Sequence, residues 1–96
     1  MPVYVCLWNF DDQSIKDVKE VSAKMGKEKL IESMGGRPII GYSLTGAYDG
    51  IVIAEFPDDE SCAAAVLKSS SLFGIRTTTM RAFDSEQFRR ILDKLS

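Results

Sequence analysis

The chain of 96 residues contains no histidine and only two cysteines, Cys6 and Cys62. The lack of histidine excludes Ser-His and Cys-His nucleophilic sites and histidine-metal centres. Two cysteines do not make a disulfide framework, and each lies at an apolar position of its segment. We therefore expect two buried free thiols, which agree with a reducing, cytoplasmic location.

Long hydrophobic runs are also missing. No apolar stretch approaches the roughly 20 residues that cross a bilayer, and no basic segment precedes the short apolar stretch at the start, so neither a membrane span nor a signal peptide is expected. The 12 basic and 14 acidic residues give a net charge of −2, which lacks the basic surplus typical of nucleic-acid binders. We predict neither a nucleic-acid nor a membrane partner.

Motifs for cofactors and metals are absent. No glycine-rich loop has the spacing of a P-loop or a dinucleotide site, and the acidic pairs at 11–12 and 58–59 fit helix caps better than a calcium loop. We predict no cofactor and no metal. Lysines mixed with acidic residues along the first helical region indicate a solvated face; they are Lys16, Lys19, Lys24, Lys27 and Lys29.

The residues that are present predict one folded domain over 1–96, since 45% are apolar and 27% charged. Runs of β-branched and aromatic residues predict strands, at Val3 to Phe10, Arg37 to Thr45, Ile51 to Phe56 and Ile75 to Phe83. The turn 46–50 joins the middle two strands as a β-hairpin.

The two segments between the remaining strands and the segment after the last strand show apolar residues at helical spacing, which predicts helices there. The first segment breaks at Gly26 and ends at Gly35, which predicts one kinked helix or two short ones, with Ser22 as a candidate N-cap of the second piece. A second helix begins at Asp58 and ends at Gly74. The last helix, capped by Asp84 or Ser85, carries an apolar stripe at helical spacing, formed by Phe88, Ile91, Leu92 and Leu95.

This order, β-α-β-β-α-β-α, predicts an α+β fold: a ferredoxin-like βαββαβ unit with a C-terminal helix. Right-handed crossovers place both main helices on one face of a four-stranded antiparallel sheet. If water covers the other face, apolar and polar residues should alternate along each strand, with the polar residues on that face.

The strands do not alternate in this way. In the first strand, Val3, Val5 and Leu7 point to one side, and the residues between them, Tyr4, Cys6 and Trp8, are also apolar. A second copy of the chain, the C-terminal helix or an apolar ligand could cover the exposed face, since monomers seldom leave such a patch open. A helix of about a dozen residues, roughly 18 Å long, is too narrow for four strands. We therefore predict a homodimer or higher oligomer that packs sheet to sheet.

Several segments resemble the GYD-domain family over nearly the whole chain. They are the turn and strand Leu44 to Ile53 with the helix start Pro57 to Glu60, the opening Met1 to Val5 and Asn9 to Ile15, the pair Gly35-Gly36, and the strand Arg76 to Phe83. The chain departs from the family's Ser-Pro near the helix break, because Ala23 follows Ser22.

The resemblance implies a dimeric α/β barrel, in which two ferredoxin-like units pack sheet against sheet. It implies no established activity. A similar Gly-x-Tyr-Asp turn occurs in the effector domains of leucine-responsive-type regulators, which bind amino acids at subunit interfaces. This chain lacks their DNA-binding segment.

Five residues are candidates for binding a small acidic or amphipathic metabolite: Tyr48, Asp49, Tyr42, Arg76 and Asn9. Arginine suits bidentate capture of a carboxylate. Each residue also has a purely structural interpretation: Asp49 and Tyr48 as turn residues, Asn9 as a cap at the strand end, and Arg76 as surface charge or an interface ion pair.

Two classes of function remain open. The first is a non-catalytic, self-associating interaction module or a small-molecule-binding module. The alternative is a cofactor-independent enzyme of the same barrel class, monooxygenase- or isomerase-like, which is an analogy of fold only. Its acid and base would have to come from Asp49, Glu55, Tyr42 or Tyr48. No catalytic residue is predicted.

Overall fold

The computed structural model describes residues 1–96 and contains four strands and five helices. The strands are β1 (Val3–Phe10), β2 (Arg37–Ser43), β3 (Gly50–Glu55) and β4 (Ile75–Ala82), and the helices are α1 (Asp12–Lys16), α2 (Val18–Lys24), α3 (Lys27–Ser33), α4 (Asp59–Phe73) and α5 (Ser85–Asp93). No helix is long and apolar enough to cross a membrane.

The strands form one antiparallel sheet in the order β2-β3-β1-β4. This is the ferredoxin-like arrangement expected from the sequence, since the outer strands are the second and the fourth. Tyr4 pairs with Ala54 and Arg81, and Trp8 pairs with Gly50 and Thr77. The register is regular except in β2, where it shifts between Pro38 and Ile40, so that Ile39 lies in a bulge.

Helix caps are the local feature that the sequence predicted best. The carboxylates of Asp11, Asp58 and Asp84 accept hydrogen bonds from the backbone N–H three residues later, and Gln87 completes a capping box with Asp84. Gly74 ends α4 with φ +63°. An added Cβ there would lie 2.0 Å from the Ser14 hydroxyl, so only glycine fits both the conformation and the space.

The first helical region differs from the prediction. It contains three short helices, and the residue at the N-cap of α3 is Gly26, not Ser22. Gly26 makes no side-chain cap, and α2 buries none of its residues. Local breaks therefore divide this region more finely than its apolar spacing indicated.

The core is small and lies between the sheet and two helices, α3 and α4. Its buried cluster consists of Tyr4, Ile31, Ala54, Phe56, Cys62 and Ala65. Only 11 of the 96 residues are buried. The radius of gyration, 14.7 Å, exceeds the roughly 12.5 Å of a compact domain of this length. The isolated chain thus leaves much of its apolar surface uncovered.

Candidate functional site

The face of the sheet opposite the helices, which we call the open face, is uncovered and is apolar at its centre. By register its central residues are Val5, Leu7 and Ile53. On the outer strands, Ile40, Tyr42 and Met80 are 38%, 62% and 44% exposed. An exposed face of this composition is typical of an interaction surface.

The C-terminal helix does not cover the open face with its apolar stripe. Phe88 and Leu92 of α5, and Leu95 just beyond its end, remain exposed, and no residue of this helix is buried. The helix therefore adds a second apolar surface that has no partner within the chain.

Asn9 and Asp49 link the hairpin turn to the end of β1. The Asp49 carboxylate accepts a hydrogen bond from the backbone N–H of Phe10 at 2.9 Å, and the Asp49 N–H donates to the Asn9 side-chain oxygen at 2.9 Å and to the Trp8 carbonyl at 2.9 Å. These bonds give both residues a structural role, because they satisfy backbone donors at a strand end.

The other predicted ligand residues lie around this link and on the open face. Arg76 is the neighbour of Asn9 across the β1–β4 ladder and is exposed. Tyr48 precedes Asp49 in the turn and is half-buried. Tyr42 lies on β2, at the opposite edge of the sheet from Arg76. The structure thus brings Asn9, Asp49 and Arg76 together and leaves Tyr42 apart.

A cavity of about 40 Å³ lies on the helix side of the sheet. Apolar side chains dominate its wall, and the titratable groups on it are Tyr4, Cys6, Lys27 and Cys62. The volume is enough for a few waters or a small organic group. The two cysteines are free, but Cys62 is buried and Cys6 only half-buried, so the expected burial holds for Cys62 and not for Cys6.

Lys27 is the unusual group of this cavity. Its Nζ is the one buried side-chain nitrogen or oxygen of the chain that has no hydrogen-bond partner. The Nζ lies 3.2 Å from the centre of the Trp8 ring, a cation–π position. Burial lowers the pKa of the Lys27 amine from 10.5 to about 7, because the charged form is poorly solvated there.

The other titratable groups of the cavity hold their protons at neutral pH. Burial, with the hydrogen bond that Tyr4 donates to Asp59, raises the pKa of Tyr4 to about 12. Burial raises the pKa of Cys62 to about 11 and also raises that of Cys6. Lys27 is therefore the group of this cavity that titrates near pH 7.

The placement of Lys27 was missed from the sequence, where mixed charge in this region indicated a solvated face. The other four lysines of that region are exposed. Lys27 shares its helix face with Leu30 and Ile31, which are buried, because residues three and four apart lie on one side of a helix. The spacing of Lys27 from Leu30 and Ile31 was therefore the sequence signal that could have placed Lys27 on the buried side of the helix.

The Lys27 side chain also borders a groove of about 510 Å³ that runs between α3 and β2. Ile31 and Val52 line both the cavity and the groove, and Tyr42 and Trp8 line the groove alone. No three cysteine, aspartate or glutamate side chains lie close enough together to hold a metal ion.

The family model of the GYD domain matches residues 4–92. The chain belongs to the GYD domain family. Comparison with curated protein sequences returns no match. Among solved structures, this GYD domain is similar to the leucine response regulatory protein LrpA of Mycobacterium tuberculosis, with a TM-score of 0.64 and 13% identity.

That similarity covers 88% of this chain and 51% of LrpA, so the GYD domain spans about half the length of the regulator. At this identity the comparison shows the fold alone, a ferredoxin-like α+β unit. The resemblance to the GYD family that the sequence indicated is confirmed.

Proposed function

We propose that this GYD domain is a self-associating, cytoplasmic binding module in which two copies pack their open faces against each other. The observation that carries the proposal is the uncovered apolar sheet face, with Ile40, Tyr42 and Met80 at 38%, 62% and 44% exposure. Burying apolar area contributes roughly 25 cal/mol per Å² before the costs of association. A second sheet of the same shape provides that cover most simply.

The dimer proposal supplies a place for a ligand. Asn9, Arg76 and Tyr42 all lie on the open face by register, and in a sheet-to-sheet dimer they would lie between subunits. The Arg76 guanidinium suits a carboxylate, and the apolar strands suit the rest of a small amphipathic molecule. We propose Tyr48 and Asp49, at the same end of the sheet as Arg76, as the rim of that site.

Association is tested by replacing Ile53 with glutamate. The open face already carries one carboxylate two residues away, that of Glu55, but this group is paired with Arg37 at 2.9 Å. A glutamate at position 53 would have no such partner. An unpaired carboxylate in the centre of a dry interface costs at least about 3 kcal/mol, so Ile53→Glu should weaken the dimer about 100-fold or more.

Sedimentation equilibrium measures this change, with Leu72→Glu as the matched control. Leu72 is 60% exposed on α4, on the helix side of the sheet. Both variants should keep the circular dichroism of the parent chain. Equal association of Ile53→Glu and the parent would mean that the open face is not the interface.

Ligand binding is tested separately by thermal shift with amino acids and short aliphatic carboxylates at millimolar concentration, since binding raises apparent stability. Arg76→Gln should abolish any shift. A shift that persists in Arg76→Gln would remove Arg76 from the proposed site.

The enzyme alternative gains no support from its two candidate carboxylates, Glu55 and Asp49. Arg37 pairs with Glu55 through two hydrogen bonds and holds the pKa of that carboxyl below its ordinary value. The Asp49 carboxylate is engaged by the Phe10 N–H. Glu55 therefore lacks the raised pKa that a general base acting near pH 7 usually requires, and the Asp49 carboxylate already has a structural partner.

A further inference from the structure

We propose that Lys27 is a nucleophilic amine that forms an imine with a small aldehyde or ketone bound in the cavity between the sheet and α3. The site lies on the helix side of the sheet and does not depend on the dimer or on Arg76. The proposal rests on the position of Nζ, on the lining of the cavity and on the absence of a counter-ion.

The Lys27 nitrogen has no carboxylate or other hydrogen-bond acceptor that would hold it as an ammonium ion. No hydrogen-bond acceptor contacts the buried Nζ, and neither ion pair of the chain, Arg37–Glu55 or Arg90–Glu86, includes Lys27. The Trp8 ring lies 3.2 Å away and supplies the one favourable contact for a charge. Burial without a carboxylate therefore favours the neutral amine, whose lone pair is free to react.

The cavity sets the size and chemistry of the substrate class. Its volume of about 40 Å³ and its apolar wall admit a compound of a few carbon atoms without a charged group. Thr77, Thr79 and Ser69 lie on the same wall and can donate to a carbonyl oxygen. Lys27 borders both the cavity and the open groove, so the groove is the route by which a small molecule would approach its side chain, and the buried Nζ must turn toward the cavity to react.

The chemical step is balanced and needs no further reactant. The Nζ lone pair attacks the carbonyl carbon, the carbonyl π electrons move to oxygen, and a proton passes from nitrogen to that oxygen to give a carbinolamine. The C–O bond then breaks, the nitrogen lone pair forms the C=N bond, and oxygen leaves as water with both amine hydrogens. Exclusion of bulk water favours the imine.

The test is reductive trapping with acetone and sodium cyanoborohydride, followed by peptide mass spectrometry that resolves every lysine. The reference pKa of a lysine side chain is near 10.4, and an amine with that value is unprotonated at pH 7 about a thousandfold less often than an amine of pKa near 7. We expect Lys27 to acquire the isopropyl group at least about tenfold faster than Lys29, the exposed lysine of the same helix.

The pH profile is the second readout. Modification of exposed lysines should rise about tenfold per unit between pH 7 and 9, whereas modification of Lys27 should level off. Tyr4 and Cys6 of β1 and Cys62 of α4 line the same cavity as Lys27, and Glu28, its neighbour on α3, lines the groove. Burial raises the pKa of each of the first three, so these groups do not titrate near neutrality.

Two results would overturn the proposal. One is modification of Lys27 at the rate of Lys29 in the parent protein, a comparison that needs no variant to fold. The other is a thermal shift with propionate that Lys27→Met abolishes while acetone leaves no trapped adduct, because Lys27 would then be an anion-binding group. Lys29→Met is the matched control and should retain trapping on Lys27.

Discussion

Replacing Lys27 with methionine should stabilise the protein and change how its stability depends on pH. The substitution keeps an unbranched side chain in the apolar cavity and removes the buried amine that has no hydrogen-bond partner. Replacing even a buried ion pair with apolar groups of similar volume is often neutral or stabilising by about 1–4 kcal/mol, and an unpaired buried charge lacks the attraction that offsets its desolvation. Because Lys27 is only half-buried, we expect Lys27→Met to raise the free energy of unfolding by roughly 1–2 kcal/mol at pH 6.

The sign of the pH dependence follows from the lowered pKa. In the folded chain Lys27 has a pKa of about 7, and in the unfolded chain it returns to about 10.4. Between these values the unfolded chain binds more protons, so the free energy of unfolding rises with pH. From pH 7 to 8.5 the parent should gain roughly 1 kcal/mol, after a discount for partial exposure.

Urea unfolding at intervals between pH 6 and 8.5, followed by circular dichroism, measures both effects. Above about pH 8.5 the raised pKa values of Cys6, Cys62 and Tyr4 act in the opposite direction, which fixes the upper limit of the window. The stability gap between Lys27→Met and the parent should narrow as pH rises. A constant gap, or a variant less stable at pH 6, would refute a buried, unpaired amine.

Two further substitutions test the packing around the site. Gly50→Ala should lower the free energy of unfolding by roughly 1–3 kcal/mol, because its Cβ would lie 2.1 Å from two Trp8 ring carbons; an unchanged melting temperature would show that the indole does not lie on this glycine. Asp49→Ala should cost about 1–3 kcal/mol by leaving the Phe10 N–H without its acceptor, and a loss of ligand binding at unchanged stability would contradict this structural role.

Much of the fold was predictable from local chemistry. The aspartates at 11, 58 and 84 marked helix starts because their side chains satisfy free N–H groups there, and Gly74 marked a helix end because it takes a positive φ. Apolar residues on both sides of β1 indicated a sheet with an open face, and the structure leaves that face uncovered.

The candidate site was less predictable. The cavity depends on how α3 and α4 pack against the sheet, which brings together residues far apart in sequence. Charge patterning assigned Lys27 to solvent with its neighbouring lysines, whereas its helix face with Leu30 and Ile31 decides its position. The bulge at Ile39 depends on pairing between strands, which no local pattern of β2 records.

The mass of the parent chain in solution tests the central claim most directly. Light scattering on the eluting protein at micromolar concentration should give twice the mass of one chain or more, because the open face needs a second copy to cover it. A single chain mass at that concentration would contradict the account.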